Sequence, residues 1–191
     1  MASSSATQEV HFVIGGSGFL GSSIVRLLKS RGESNVFVFD LSAPRSPIEK
    51  VTYETGDLTS SSSLSAAIRS SIERSKGKDV VIYHTASPVA DHLDKSIYET
   101  VNVKGTKNVL EVAKKEGVRA VIFTSSAGVV FDGRDLIHVD ERIPYPEPAM
   151  DPYNDTKVSW LERVMNELMG YGSRISCWLE DCFDDQKRET E

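Results

Sequence analysis

Apolar positions in this chain come as short β-branched and aromatic runs, alternating with longer stretches at helical spacing. Residues 10–14 (Val-His-Phe-Val-Ile) form such a run, closed by glycine, and predict a buried strand. Over residues 18–31 the apolar side chains are Phe19, Leu20, Ile24, Leu27 and Leu28, a helical stripe that Gly32 is placed to stop. Further strands are predicted over 36–39 (reaching Asp40), 51–55, 80–84 and 120–124. Helices are predicted over 64–74, over 97–115 with Gly117 as its stop, and over 152–168. Asp151 suits the N-cap of the last, and Pro152 its first turn. The serines at 60–63 read as the lead-in to the second helix. Residues 132–149, with Pro144, Pro146 and Pro148, predict a loop, and 170–179 fit one more strand.

Strands and helices alternate with no internal repeat, which implies an α/β fold: a Rossmann-type, doubly wound parallel sheet with helices on both faces. Composition agrees, since 191 residues at 39% hydrophobic and 26% charged suffice for one domain with a sizeable core. The net charge is −6, of which residues 180–191 contribute −4. No basic patch points to nucleic acid. Two cysteines, Cys177 and Cys182, make neither a disulfide framework nor, alone, a zinc site, so a reducing compartment is the default. Residues 1–8 are rich in Ser, Ala and Thr, lack the apolar centre of a signal peptide, and are expected to be a disordered arm. No apolar run approaches the roughly 20 residues of a membrane span, which leaves peripheral membrane contact open. His11 and His84 fall in apolar strands and read as core or strand-end residues. His92 and His138 read as loop surface, and no two have metal-ligand spacing, so no metal is expected.

Two constellations carry chemistry. Gly15-Gly16-Ser17-Gly18-Phe19-Leu20-Gly21 follows a strand and opens a helix, the context in which glycines let a backbone approach a pyrophosphate at a helix N-terminus. Asp40, at the end of the second strand, is placed to accept hydrogen bonds from ribose hydroxyls and to repel a 2′-phosphate, favouring NAD over NADP; Arg45 nearby is the opposing feature. The second constellation is Tyr153 and Lys157, one helical turn apart and on one face. A lysine beside a tyrosine is expected to lower its pKa, fitting the phenol to take a proton from an alcohol.

The glycine loop, Asp40, Gly56-Asp57-Leu58, His84-Thr85-Ala86-Ser87-Pro88, Asn102-Val103-Lys104-Gly105-Thr106, Thr124-Ser125-Ser126 and Tyr153-x-x-x-Lys157 occur in one order. That series resembles the extended short-chain dehydrogenase/reductases. Residues 124–133 and Asp151-Pro152-Tyr153 more narrowly resemble the 3β-hydroxysteroid dehydrogenase group, in the branch that oxidises 4α-carboxysterols at C3 with loss of carbon dioxide in sterol biosynthesis. The resemblance implies Ser126, Tyr153, Lys157 and Asn102 as catalytic residues. Ser126 holds the reacting oxygen, Tyr153 is the acid/base, Lys157 binds the nicotinamide ribose, and Asn102 orders water. Three adjacent hydroxyls leave Ser125 as the competitor of Ser126. NAD would be held by the glycine loop, Asp40, Asp57 (adenine amino group), Leu58, Ala86, Ser87, Tyr153 and Lys157.

The same resemblance implies a sterol substrate and the endoplasmic reticulum membrane surface, or the cytoplasm for a soluble fragment. Trp160, Leu161, Val164 and Met165 read as core or a homodimer face. Residues 9–170 are expected to form the NAD-binding domain and 171–191 an atypical acidic tail, as in a C-terminally truncated relative with its substrate domain largely missing. The rival functions are a nucleotide-binding fragment or pseudo-enzyme without turnover, an NADPH-dependent dihydroflavonol-reductase-like ketone reductase, and a sugar-nucleotide epimerase.

Overall fold

The computed structural model describes residues 9–76, 79–89, 94–136 and 142–158, together with the backbone of 174–178. The expected arm at 1–8, His92, His138, the helix beyond 158 with Trp160, Leu161, Val164 and Met165, and the acidic residues from 179 onward lie outside the described residues.

Six strands, β1 (Val10–Ile14), β2 (Val36–Asp40), β3 (Thr52–Thr55), β4 (Val80–His84), β5 (Ala120–Thr124) and β6 (Arg174–Trp178), form one sheet in the order β3-β2-β1-β4-β5-β6. Every neighbouring pair is parallel. β6 pairs with β5 and fulfils the strand expected over 170–179. The strand order reverses at β1, which lies between β2 and β4. Open α/β sheets offer a crevice at such a switch point, beyond the carboxyl ends of the strands. Ile14 pairs with both Phe39 and His84, so β1, β2 and β4 finish level there.

Both sheet faces are covered, which is why the strands read as near-continuous apolar runs rather than alternating ones. Val10, Phe12 and Ile14 point to one side, where they meet Leu64, Ala67 and Ile68 of helix α2 (Ser61–Arg74) and Val109, Val112 and Ala113 of α4 (Thr106–Lys115). Val13, Val36 and Val38 point to the other, against Val25 and Leu28 of α1 (Phe19–Ser30). α1 ends as Gly32 predicts. Gly32 takes φ +85°, its N–H bonds Lys29 O, and the Glu33 N–H bonds Leu28 O, the paired pattern of a glycine C-cap. Gly117 closes α4 in the same way, at φ +70°.

Two helices depart from expectation. α2 begins three residues early because the Ser60 side chain accepts a bond from the Ser63 N–H and caps it. The helix expected over 97–115 is α3 (Lys95–Tyr98), a seven-residue π turn (Glu99–Gly105) and then α4. A 3₁₀ turn (Ala127–Val130) follows β5, also unforeseen. Residues 152–158 form the helix α5, and Asp151 caps it: its Oδ1 accepts the Asn154 N–H at 2.7 Å. Among the described residues no helix is long and apolar enough to cross a membrane.

Candidate active site

A cleft of about 460 Å³ opens at the switch point, lined among others by Gly15, Ser17, Gly18, Asp40, Gly56, Leu58, Ala86 and Ser87. Its floor is the glycine loop, and the glycines serve different ends. Gly15 has φ +83°, and a Cβ there would stand 2.6 Å from the Ala86 nitrogen. A Cβ at Gly16 would stand 2.7 Å from Val38 Cγ1, and one at Gly21 would run into the Gly15 carbonyl. At Gly18 a Cβ would meet only Gly15 O, at 3.3 Å. Protein packing therefore demands three of the four, while Gly18 keeps the cleft side of the loop low. Gly18 is also the N-cap of α1 and makes no side-chain capping bond, which suits an anion at the helix N-terminus. This cradle fits a dinucleotide pyrophosphate. Leu20 is half-buried, and the Phe19 ring is 93% exposed beside the loop.

Asp40 lines the cleft and also braces the loop: its Oδ2 accepts the Ser17 N–H at 2.9 Å. A carboxylate has about four acceptor positions, so capacity remains for ribose hydroxyls. Asp57 is exposed, and its Oδ1 accepts both the N–H and the hydroxyl of Thr59 at 2.8 Å; its neighbours Gly56 and Leu58, rather than Asp57 itself, line the cleft. Leu58 is buried against Gly105 of the π turn, where a Cβ would strike Leu58 Cδ1. The Thr85 N–H and hydroxyl both donate to Ile14 O at 2.9 Å, fixing the start of the Ala86–Ser87 loop beside Gly15.

The second constellation assembles at the ends of β4 and β5. The Ser87 and Ser126 hydroxyls reach the Tyr153 hydroxyl, and the ring of Tyr98 meets that of Tyr153 edge-on at 5.7 Å. Lys157 is buried; its Nζ donates to Thr124 O at 3.3 Å and lies 5.7 Å from the Tyr153 ring centre. Asn102, carried inward by the π turn, accepts from the Ser87 hydroxyl at 3.0 Å and donates through Nδ2 to Thr156 Oγ1 at 3.3 Å. Of the two candidate serines, Ser126 reaches Tyr153 and accepts the Gly128 N–H at 3.1 Å. Ser125 Oγ is buried with no partner among the described residues.

One expectation is corrected. Lysine was expected to lower the Tyr153 pKa, but burial dominates and pushes the phenol above its ordinary value, against the downward pull of Ser87 and Ser126. Asp151 and Tyr98 add to the rise. His84 lies beneath this group. It is fully buried, its Nε2 is 2.8 Å from Thr106 Oγ1, and burial followed by the nearby Lys157 charge lowers its pKa to about 3.

Sequence reasoning missed Thr156 and Tyr98, which touch Tyr153 or its helix. Thr156 lies inside the Tyr-x-x-x-Lys spacing and Tyr98 on an apolar helix face, so neither stands out along the chain. A second cleft of about 520 Å³ lies where the proline-rich loop meets α5, between Tyr145, Met150, Val158 and the Lys95–Asp155 ion pair of 2.8 Å.

The model of the 3-beta hydroxysteroid dehydrogenase/isomerase family matches residues 12–168. The chain is 43% identical over 162 residues to the sterol-4-alpha-carboxylate 3-dehydrogenase, decarboxylating, of Candida albicans, covering 80% of this chain and 44% of that protein. To its Homo sapiens counterpart it is 40% identical over 146 residues, covering 76% and 36%. The chain thus spans less than half the length of these curated relatives. Among solved structures, a UDP-galactose 4-epimerase superposes with TM-score 0.72 at 30% identity, over 87% of this chain and 54% of the other. A short-chain dehydrogenase/reductase superfamily protein from Agrobacterium tumefaciens, solved with bound NAD, superposes with TM-score 0.73 at 26% identity, over 88% and 48%.

Proposed function

The chain belongs to the 3-beta hydroxysteroid dehydrogenase/isomerase family, and from that premise we propose that it oxidises the 3β-hydroxyl of a 4α-carboxysterol with NAD, with loss of carbon dioxide. The observation that carries the reading is the meeting of Ser126, Ser87 and Tyr153 above the buried Lys157, beside the glycine-loop cleft. The relatives' names supply the sterol.

In this reading the backbone of Gly15 to Gly21 holds the pyrophosphate, Asp40 the adenosine ribose, and Leu58 and Asp57 the adenine side. Ala86 and Ser87 flank the cofactor's middle, and Lys157 with Tyr153 takes the nicotinamide ribose. Asp40 favours NAD over NADP. Bound NAD would supply the acceptor for the hydride that leaves C3. Ser126 Oγ already accepts the Gly128 N–H, so its own proton is free to donate to the substrate oxygen. Tyr153 takes the hydroxyl proton, and its raised pKa means that the phenolate needs stabilisation, which positive charge at Lys157 would supply. The oxidised product is a β-keto acid. It loses carbon dioxide as the electron pair of the breaking bond passes into the 3-ketone, so no further residue is required. A sterol substrate would be met at a membrane surface, and the endoplasmic reticulum is the surface we propose.

The test is NAD reduction followed at 340 nm with a 4α-carboxysterol, after calorimetric titration with NAD and NADPH. Tyr153→Phe is expected to cut turnover by roughly 10²–10⁴-fold while leaving NAD affinity near that of the unaltered chain. Near-normal rates in that variant would remove Tyr153 as the base. A second reading is nucleotide binding without turnover. NAD binding without any sterol oxidation by the unaltered chain would select it.

A further inference from the structure

Three hydrogen bonds run head to tail from the cleft to the helix that bears Tyr153. The Ser87 hydroxyl donates to Asn102 Oδ1 (3.0 Å), Asn102 Nδ2 donates to Thr156 Oγ1 (3.3 Å), and the Thr156 hydroxyl donates to the Tyr153 carbonyl (2.8 Å). Ser87 lines the cleft, while Asn102 and Thr156 are 2% exposed. We propose that this directed chain positions the Tyr153 helix against the nucleotide cleft, and that Thr156 is the positioning residue at its end.

Three physical points support the assignment. Each hydroxyl has a single proton; Thr156 gives its own to the Tyr153 carbonyl, and the nearer of the two Ser87 acceptors is Asn102 Oδ1 (3.0 Å, against 3.3 Å to Pro88 O), so the bonds run in one direction, the arrangement in which successive bonds polarise one another. A threonine inside a helix that back-bonds to a preceding carbonyl bends that helix slightly, and Thr156 Oγ1 does so while also accepting from outside its own helix. Finally, Asn102 reaches both partners from the π turn, an irregularity that recurs at functional sites because it re-aims a side chain without ending the helix. Ser126 reaches the Tyr153 hydroxyl from its own loop, so a shift of α5 changes how well it stabilises the phenolate, while the Ser87 proton goes to Asn102. The other titratable groups around Tyr153 are Asp151, Asp155 and Lys157 on α5 and Lys95 and Tyr98 on α3, none of which the test alters.

The inference rests on the reading of Tyr153 as the base, but its test needs neither sterol nor nucleotide, so failed turnover leaves it answerable. The chain would be labelled with ¹³Cζ-tyrosine and the Tyr153 resonance titrated with pH in Thr156→Val, Thr156→Ser, Asn102→Ala and the Asn102→Ala/Thr156→Val double variant. Valine keeps the shape and removes the hydroxyl. Thr156→Val is expected to lower the phenolate fraction at a given pH by about fivefold, the weight of one hydrogen bond, whereas Asn102→Ala also frees the Ser87 proton for the phenolate and serves as the background for the double variant. Thr156→Ser should titrate as the unaltered chain does. Once Asn102 is gone the chain is already cut, so adding Thr156→Val should change nothing and the double variant should titrate as Asn102→Ala does. Additive effects, or an unshifted titration in folded Thr156→Val, would overturn the proposal. Should Asn102→Ala fail to fold, the contrast between valine and serine at 156 decides alone.

Discussion

A Cβ at Gly15 would stand 2.6 Å from the Ala86 nitrogen at a φ of +83°, whereas one at Gly18 would meet only Gly15 O at 3.3 Å. Gly15→Ala is therefore expected to lower the unfolding free energy read from urea titration by about 1–3 kcal/mol from backbone strain alone, before the clash is counted. Gly18→Ala should leave that free energy nearly unchanged and weaken NAD binding by about tenfold, or ~1.4 kcal/mol, in calorimetry. His84 gives a second residue-scale prediction. Its pKa is about 3 folded against an ordinary 6.5, so between those values the unfolded chain binds a proton that the folded chain refuses. Stability then rises with pH across the window from 3 to 6.5 and is lost as pH falls through it, by about 3 kcal/mol at pH 4. His84→Gln, which keeps a hydrogen-bonding side chain for Thr106, should flatten the dependence of the urea midpoint between pH 7 and 4. The glycine spacing and the Tyr–Lys pair were legible in the sequence because their chemistry depends on local spacing. The raised Tyr153 pKa was not, because burial is a property of everything packed around the ring.

α5 carries Tyr153 in its first turn and Lys157 one turn further in, so its cap sets their position. Both Asp151 oxygens are engaged by Asn154, each at 2.7 Å. Asp151→Ala should cost about 1 kcal/mol of stability and speed amide exchange at Asn154 to Lys157, as read by hydrogen-exchange mass spectrometry; unchanged protection there would show that tertiary contacts alone hold the helix. This start was readable in advance, since Asp151-Pro152 is a local signal. The π turn was not. It shifts the backbone bonding by one residue while Tyr98, Asn102 and Gly105 keep an ordinary inward spacing, so the apolar period along the chain still reads as one α-helix. The β5 side of the site was half-legible: the Thr124-Ser125-Ser126 hydroxyls were visible, but the 3₁₀ turn that presents Ser126 to Tyr153 and turns Ser125 inward forms only in the folded chain.

At the scale of the molecule, strand–helix alternation foretold a parallel doubly wound sheet, and the order β3-β2-β1-β4-β5-β6 adds where its crevice lies. The crevice gathers Gly15 and Gly18 from one loop, Asp40 from the next strand end, and Ala86 and Ser87 from β4, while Tyr153 and Lys157 arrive from α5 by way of β5. Residues more than a hundred positions apart thus share one site, and only family resemblance, rather than spacing, joined them in the sequence. Every functional role proposed for these residues depends on NAD binding in this crevice. Calorimetric titration of the 191-residue chain with NAD, with NADPH as the comparison, tests it most directly. One NAD per chain and weaker NADPH binding are expected; no heat of binding with either nucleotide would overturn the assignment of the crevice to NAD.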